Sequence, residues 1–380
     1  MSRFKSREIL KLKQQLKIRI SGIAVGIMTV ILSLSLLLSG CGKAADYDPN
    51  EGVETVKVTD DAGREVEIPA DITSIAPSGA AATMMLIPIA PEKLVGLAAS
   101  PSLAQEKYMP EELLYLPTFG QFYGAKSTLN MEALIEARPQ VIFDLGDRKT
   151  SIKSDMNMIQ RQTGIPTLFF DGTLDHMAAT YRALGKILGK EKEAEEIAGF
   201  IDRTTQMALK KREQIPNEDR VRVLYGTGAT GLAVNADLSS QAQVIDYIGA
   251  RNAVIPDEVT DKGGGTIVSL ESLYENEPDV IILTKGGPYE ELETGEWSDL
   301  RAVKEGKYYE IPGDPYCWMS SPPSVNMVLG VWWLGQLIYP EVYNDYDMVE
   351  VAQEYYKLFW HYDLSEEEAR EMLSRSYFKK

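Results

Sequence analysis

Apolar and polar residues alternate with two different periods along this chain, and the two periods predict different elements. The segment 56–69, VKVTDDAGREVEIP, alternates around Asp61-Ala62-Gly63 and predicts a β-hairpin. Short apolar runs predict buried strands at ITSIAP, KLVGLA, PQVIFDLG and IPTLFFDG, and the stretches between them have helical patterns. Strands that alternate with helices indicate a parallel sheet covered on both faces.

This alternation stops between about Asp175 and Gln214, where the pattern is helical and Gly189 predicts a single break. The second piece, of about 25 residues, would span ~37 Å, which is longer than a crossover helix within one sheet needs. After Pro216 the strands and helices resume. We therefore predict an α/β fold of two Rossmann-like lobes with mainly parallel sheets, joined by one long helix. The expected boundaries are an N-terminal lobe at 56–188, an inter-lobe helix at 189–215, a C-terminal lobe at 216–345 and C-terminal helices at 346–380. Three tail helices are expected, at 325–337, 348–360 and 365–374, and Ser365 with Glu368 three residues on predicts a capping box for the last.

One short pattern occurs twice, once in each predicted lobe. NMEALIEARPQVIFDLG begins at Asn130 and SLESLYENEPDVIILTK begins at Ser269, an offset of 139 positions. Under this offset Glu132 corresponds to Glu271, and both fall in the first turn of a predicted helix. An acidic side chain is favourable there in any helix, so the pair alone does not require a functional explanation.

The first forty residues carry a targeting pattern. A basic leader precedes an apolar run from Ile20 to Leu38, and Leu-Ser-Gly stands directly before Cys41. Such a run is long enough for a transmembrane helix, but the small residues before the cysteine favour a cleaved export signal. The pattern resembles the lipobox of bacterial lipoproteins. This resemblance implies a signal peptide at 1–40, lipidation of Cys41, a tether at 41–55 and a lipid-anchored protein on the extracytoplasmic face of the cell membrane.

Charge and cysteine content restrict the possible partners. Removal of the leader, which carries seven basic residues and one acidic residue, takes the formal net charge from −17 to −23. A body this acidic is not expected to bind nucleic acid. With Cys41 lipidated, only Cys317 remains, either as a soft metal ligand or as a small buried residue. Two histidines, His176 and His361, are too few for a multi-histidine zinc site.

A glycine motif provides an alternative interpretation. YGTGATG places Gly226, Gly228 and Gly231 after a predicted strand, in the spacing G-x-G-x-x-G. A dinucleotide site needs a helix that begins within the glycines, whereas LAVN follows here and the next helix starts near Ser239. We interpret the motif as a cleft loop and keep an exported nucleotide-dependent enzyme as the alternative from another class.

Five segments occur in order from Val58 to the tail: VTDDAGREVEIP, NMEALIEARPQVI, SLESLYENEPDVII, LRAVKEGKYYEIPGDPYCW and PPSVNMVLGVWWLGQLIYPE. Together they resemble the class III substrate-binding proteins of ABC importers. This family includes receptors for iron–siderophores, haem, cobalamin and, in one branch, molybdate or tungstate. The tail YYKLFWHYDLSEEEAREML resembles that branch. Where the branch is expected to have RPPS, this chain has SPPS with Ser321 in the place of the arginine, which weakens the case for a compact oxyanion.

The resemblance implies roles for particular residues. Glu132 and Glu271 would each dock onto arginines of one permease subunit, because carboxylates form oriented contacts with guanidinium groups. The ligand would lie between the lobes at loops beyond the carboxyl ends of the strands. Phe122 and Tyr289 are further candidates, which like Tyr123, Tyr316 and Trp318 could stack on a flat ligand, and Lys262 is a further candidate for offsetting its negative charge. The expected ligand-binding residues are Ser78, Gly79, Tyr123, Arg148, Lys149, Lys285, Tyr316, Trp318, Ser320 and Ser321.

From the resemblance we expect an extracytoplasmic substrate-binding lipoprotein that captures an iron(III) complex, siderophore or haem-like, and delivers it to a permease. The expected partners are an ABC permease dimer with its ATPase and the small-molecule metal complex; the membrane is contacted through the lipid anchor only. We expect a monomer without catalytic residues and without a cofactor. A molybdate or tungstate receptor of the same fold, and a sensor or adhesin on that fold, remain alternatives.

Overall fold

The computed structural model describes residues 52–124, 127–237, 239–255 and 265–378. The predicted signal peptide, Cys41, most of the tether and Lys262 lie outside the described residues. Within those four ranges, no helix is long and apolar enough to cross a membrane.

The described chain begins with the predicted hairpin, which is confirmed. Strands β1 (Thr55–Thr59) and β2 (Glu65–Pro69) pair antiparallel. A buried ion pair holds their turn, with Arg64 Nη1 3.1 Å from Asp60 Oδ2. The same guanidinium donates a hydrogen bond of 2.9 Å to the carbonyl oxygen of Thr167. The hairpin is therefore fixed to the sheet of the first lobe.

The first lobe is built on a parallel sheet in the order β3-β4-β5. Its strands are β3 (Ile75–Pro77), β4 (Val141–Gly146) and β5 (Thr167–Asp171). The prediction of a full strand at KLVGLA is wrong, because a 3-10 turn starts at Pro91 and only isolated bridges form, at Leu94 and Leu97. The helices of this lobe are α1 (Ala80–Leu86), α2 (Leu103–Glu106), α3 (Met131–Ala137) and α4 (Ile152–Thr163), with 3-10 turns at Pro91–Lys93 and Glu111–Tyr115.

The long helical stretch is confirmed, with its break at the predicted glycine. Helix α5 (Met177–Leu188) ends at Gly189, whose φ of 66° lies in the left-handed region that favours glycine. Helix α6 (Glu191–Arg212) follows with 22 residues, which corresponds to ~33 Å of helix.

The second lobe has its own sheet, in the order β11-β10-β6-β7-β9 with β8 beside β6. The pairs among β6, β8, β10 and β11 are parallel, and β7 pairs antiparallel with β6 and β9. The strands are β6 (Arg222–Thr227), β7 (Ala233–Val234), β8 (Arg251–Asn252), β9 (Thr266–Ile267), β10 (Val280–Leu283) and β11 (Tyr308–Glu310). The helices are α7 (Gln243–Tyr247), α8 (Leu270–Asn276) and α9 (Arg301–Lys304), with 3-10 turns at Asn217–Asp219, Ser240–Ala242 and Tyr289–Glu291.

The glycine motif forms a turn between two strands. After β6 the chain reverses at Gly228 and Gly231, which have φ values of 74° and 70°, and returns as the antiparallel strand β7. A dinucleotide-binding motif leads from a strand into a helix instead. The local structure therefore removes the support for a nucleotide-dependent enzyme.

The chain closes with the three predicted tail helices: α10 (Asn326–Ile338), α11 (Met348–Trp360) and α12 (Glu366–Met372). The predicted capping box at the start of α12 is confirmed, since Ser365 Oγ accepts from the Glu368 backbone N–H and the Glu368 carboxylate accepts from the Ser365 backbone N–H. Helix α6 packs against α5, α7, α10 and α11.

The tail helices form a second connection between the lobes, in addition to α6. In the first lobe the ring of Tyr108 lies 5.4 Å from that of Tyr356 and 5.0 Å from that of Tyr362, both in edge-on geometry. Beside them Lys107 Nζ lies 2.7 Å from Glu368 Oε1. A single hydrophobic core includes residues of both lobes, α6 and the tail, and a second core belongs to the second lobe alone. The tail therefore packs against the first lobe as well as against the second.

Candidate functional site

A buried carboxylate lies at the carboxyl end of the first-lobe sheet. Ser78 directly follows β3, and Asp144 lies near the end of the adjacent strand β4. Ser78 Oγ donates a hydrogen bond to Asp144 Oδ1, and Tyr123 Oη donates one of 2.7 Å to Asp144 Oδ2. The backbone N–H of Phe122 also donates to the Ser78 carbonyl oxygen at 2.9 Å. These bonds fix the loop that carries Tyr123 to the strand edge.

The charges around this carboxylate act in opposite directions. Burial raises the pKa of Asp144, while the hydrogen bonds from Ser78 and Tyr123 and the positive charge of Lys149 oppose that rise. Burial and the nearby Asp144 raise the pKa of Tyr123, so its phenol remains a neutral donor. The Lys149 ammonium lies 5.4 Å from the centroid of the Tyr123 ring, and Arg148 and Lys149 are both exposed.

Asp144 was not among the predicted site residues. The run LGDRKT, which carries the expected ligand-binding residues Arg148 and Lys149, begins one residue after it, and Asp144 itself falls in the predicted strand PQVIFDLG. The sequence does contain a sign that Asp144 belongs to the site, because an aspartate inside the otherwise apolar run VIFDLG is unusual for a strand covered on both faces. Its hydrogen-bond partners come from distant parts of the sequence and could not be identified from that signal.

On the second lobe, Lys285 is already paired. Its ammonium lies 2.7 Å from Asp314 Oδ2, and Tyr356 of the tail donates a hydrogen bond to the Asp314 carbonyl oxygen. The positive charge of Lys285 is therefore offset locally, unlike the charges of Arg148 and Lys149, which form no ion pair within the described part of the chain.

Two predicted stacking residues differ in position. Tyr316 is half-buried and stacks on Trp360, with centroids 5.4 Å apart and ring planes at 24°, and burial raises its pKa to about 12. Trp318 is 1% exposed within the core, and its indole N–H donates a 3.4 Å hydrogen bond to Tyr356. The Trp318 ring thus packs among core residues instead of offering a face to the cleft.

The serines next to Trp318 also differ. Ser320 is fully buried, with its hydroxyl 2.8 Å from Tyr225 Oη. Ser321 is exposed and has a φ of 74°. Cys317 Sγ lies 3.6 Å from Tyr225 Oη, and burial raises the pKa of its thiol. The protonated thiol is a weak metal ligand, because metals bind the thiolate. Among the described residues no group of three or more His, Cys, Asp or Glu side chains could hold a metal ion.

The two lobes touch close to these residues. Ser324 Oγ donates a 3.1 Å hydrogen bond to the carbonyl oxygen of Ala81, in the first turn of α1. Gly79 lies just before that helix, where a Cβ atom would come within 2.3 Å of Gln121 Oε1. The contact brings the chain around Ser321 near the Ser78-Gly79 turn. Loops of both lobes therefore converge at one end of the molecule.

The duplicated pattern forms matching helices. Asn130 caps α3 by accepting from the Ala133 N–H at 3.2 Å, and Ser269 caps α8 by accepting from the Ser272 N–H at 3.1 Å. Glu132 and Glu271 each lie in the first turn, and both are exposed. Neither forms an ion pair within the part of the chain that the structure describes.

The sequence model of the family described as periplasmic binding protein matches residues 74–315. The molybdate-binding protein MolA of Haemophilus influenzae is 24% identical over 266 residues, which cover 62% of this chain and 71% of that protein. The family match extends from the residue before β3 to the loop after β11 and therefore includes the sheets of both lobes.

Solved structures show the same fold. An ABC transporter solute binding protein from Sulfurospirillum deleyianum gives a TM-score of 0.77 with 24% identity, over 84% of this chain and 99% of that one. A periplasmic solute binding protein from Veillonella parvula gives a TM-score of 0.68 with 27% identity, over 85% of this chain and 98% of that one. MolA of Haemophilus influenzae bound to molybdate gives a TM-score of 0.65 with 18% identity, over 82% of this chain and 99% of that one.

Three findings lead to the same assignment. The family model matches, the two α/β lobes have convergent loops, and the glycine turn differs from a nucleotide site. The chain belongs to the periplasmic binding protein family: it is a solute-binding protein, and not an enzyme.

Proposed function

We propose that the protein captures an iron(III) complex, of the siderophore or haem-like class, in the cleft between its lobes. The observation that carries this proposal is the distribution of charge at the first-lobe edge. Exposed Lys149 stands beside the phenol of Tyr123 and follows the exposed Arg148 in sequence, while Lys285 across the cleft is neutralised by Asp314. Exposed cations beside an aromatic ring suit a large ligand with an anionic rim, which can reach several loops at once.

Members of the proposed contact set differ in exposure. Tyr123, Arg148, Lys149, Tyr316 and Ser321 have accessible surface, and Ser78, Gly79 and Ser320 would act through the geometry of their turns. Trp318 is left out of the set because its ring is buried. Lys285 would contribute only if a ligand displaced Asp314 from its ammonium.

Fluorescence titration of the purified protein tests the proposal. Trp360 stacks on Tyr316 near the cleft, so an iron complex bound there is expected to quench tryptophan emission with micromolar or better affinity. The panel should include haem and iron(III) bound to catecholate, hydroxamate and citrate ligands. The iron-free ligands serve as controls for nonspecific quenching. No response to any of the iron complexes would contradict the proposal.

A second candidate is a molybdate or tungstate receptor, which the relationship to a molybdate-binding protein favours. An oxyanion receptor needs several donors directed at a small enclosed volume, as charge-assisted hydrogen bonds supply. Neither Arg148 nor Lys149 is enclosed. Calorimetric titration with molybdate separates the candidates, since tight molybdate binding without any response to iron complexes would favour the oxyanion receptor.

Two further roles complete the proposal. Glu132 and Glu271 are proposed to dock onto the two permease subunits, and their equivalent exposed positions on α3 and α8 support this. Cys41 is proposed to carry the lipid anchor. Mass spectrometry of the mature N-terminus tests the anchor, and an unmodified Cys41 in membrane-extracted protein would contradict it.

A further inference from the structure

The two lobes place different residues at one equivalent position, and the difference bears on ligand choice. Under the offset of 139 residues, β4 corresponds to β10 and Asp144 to Leu283. The pairing of neighbouring strands gives the same match: Ile75 lies opposite Val141 in one sheet, and Val223 lies opposite Val280 in the other.

The residue beside each of these positions on the adjacent strand matches it in size or in hydrogen bonding. Leu283 lies opposite Gly226, where a Cβ atom would come within 2.8 Å of the Leu283 side chain. Ser78 occupies the corresponding place in the first lobe, and its hydroxyl donates to Asp144. One lobe thus forms a close apolar contact where the other forms a buried polar one. Leucine at the equivalent position of the second lobe is therefore compatible with the fold.

Burial of a carboxylate that no cation contacts costs free energy, so its presence requires an explanation. Asp144 is 6% exposed, and among the described residues it forms no ion pair. Its two recorded partners are neutral hydroxyls, one on each oxygen. A carboxylate accepts about four hydrogen bonds in all. Asp144 therefore keeps acceptor capacity at the strand edge, which is the edge where ligands bind in parallel sheets.

We propose that Asp144 determines specificity in the cleft, by accepting a hydrogen bond from a donor or cationic group of the solute and by repelling compact oxyanions. This inference rests on the proposed function for the class of solute, and on the lobe comparison for the residue. A large complex can meet the exposed cations Arg148 and Lys149 with its rim while it presents a donor to Asp144. A small tetrahedral dianion held by those cations would lie close to the buried negative charge.

The test compares the mature protein with its Asp144→Asn variant, which keeps the shape of the side chain and removes the charge. Titration calorimetry with molybdate, up to millimolar concentration, is expected to give an association constant at least tenfold higher for the variant. Asp299→Asn is the matched control: it removes one negative charge from an exposed position on the second lobe. Its molybdate affinity should equal that of the unaltered protein.

A second pair of probes tests the acceptor role. The iron(III) complex of desferrioxamine B carries a free ammonium group, and its N-acetylated form lacks that charge. The unaltered protein is expected to prefer the ammonium form by at least threefold, and Asp144→Asn should lose the preference. If no iron complex binds to any variant, the proposed function fails and the molybdate titration alone decides the inference.

Three results would overturn the inference. The first is an unchanged or weaker molybdate affinity in Asp144→Asn, including no detectable binding. The second is an equal gain in the Asp299→Asn control, which would reflect net charge only. The third concerns folding, and it uses a second variant, Asp144→Leu, which introduces the residue found at position 283. Circular dichroism and thermal unfolding show whether each variant folds. If neither Asp144 variant folds, the carboxylate is structural.

Discussion

The two lobes repeat one helix–strand unit, and the comparison separates what the fold needs from what the site adds. Helices α3 and α8 have the same pattern of exposed and buried residues, with Leu134 and Leu273 fully buried. Both helices end at a residue in the left-handed conformation, Arg138 with φ 49° and Glu277 with φ 40°. Those backbone conformations are uncommon for residues other than glycine, so the two units match in backbone conformation as well as in burial.

The difference between the lobes begins where the repeated strands end. In the second lobe Leu283 and Gly226 form an apolar contact, and in the first lobe Asp144 and Ser78 form a hydrogen bond. In both lobes the repeated strand is apolar up to that point, because it lies inside a sheet. Beyond it the first lobe presents a buried acceptor and exposed cations, while the second presents a neutralised lysine. The cleft is therefore chemically asymmetric although its walls have a related fold.

The largest expected effect comes from the repeated leucines. Leu134→Ala and Leu273→Ala should each lower the free energy of unfolding by about 2–5 kcal/mol, because each leaves a cavity under a helix. Urea unfolding followed by circular dichroism measures both values. Ile135→Ala is the exposed control and should cost well under 1 kcal/mol. A loss below about 1 kcal/mol in only one of the two leucine variants would break the equivalence of the lobes.

A smaller effect is expected for the repeated glutamates. Glu132→Ala and Glu271→Ala should each reduce transport about tenfold, which corresponds to ~1.4 kcal/mol for one lost charge-assisted contact. Uptake of radiolabelled iron complex by cells that carry each variant gives the measurement. Solute affinity of the purified variants should not change.

Glu136→Ala and Glu275→Ala provide matched controls, because these glutamates are equivalent and exposed one turn further along the same helices. They should leave transport intact. Equal losses for all four variants would indicate a general charge effect. A fall in solute affinity in Glu132→Ala or Glu271→Ala would show that the paired glutamates do not act in docking alone.

The smallest effect concerns the contact between the first lobe and the tail. The hydrogen bond from Lys107 is the main cause that lowers the pKa of Glu368 to about 2. A carboxylate with a lowered pKa stabilises the fold above its ordinary pKa near 4.5, and this contribution disappears as pH falls towards 2. The contribution should stay below about 1 kcal/mol, since the Lys107 side chain is half exposed.

Urea midpoints of the unaltered protein and Glu368→Gln, compared at pH 7 and at pH 3, test this contribution. The difference between the two proteins should shrink at the lower pH. Glu367→Gln is the control on the same helix, where Glu367 is exposed. A difference that is constant with pH would mean that the ion pair contributes nothing.

Local patterns were sufficient to predict most of the elements. The hairpin, the break at Gly189 and the capping box of Ser365 and Glu368 all depend on residues close in sequence. The strand expected at KLVGLA was wrong because Pro91 starts a 3-10 turn that leaves too few residues to pair. Sequence periodicity does not report such competition between a turn and a strand.

The site was less predictable because its properties come from contacts between distant residues. Lys285 was expected to meet the ligand, and its pairing with Asp314 depends on a loop 29 positions away. Trp318 was expected to stack on the ligand, and a tail helix covers it through Tyr356. The link between Tyr108 and the tail likewise joins segments that no short pattern relates.

The most direct test of the account is the position of iron in a crystal of the protein grown with an iron(III) complex. Anomalous scattering at the iron absorption edge locates the metal independently of the ligand's atoms. The account predicts one peak between the lobes, with the complex in contact with Tyr123 and with the chain around Ser321. A peak on an outer surface of one lobe, or no peak in protein that binds molybdate tightly, would contradict it.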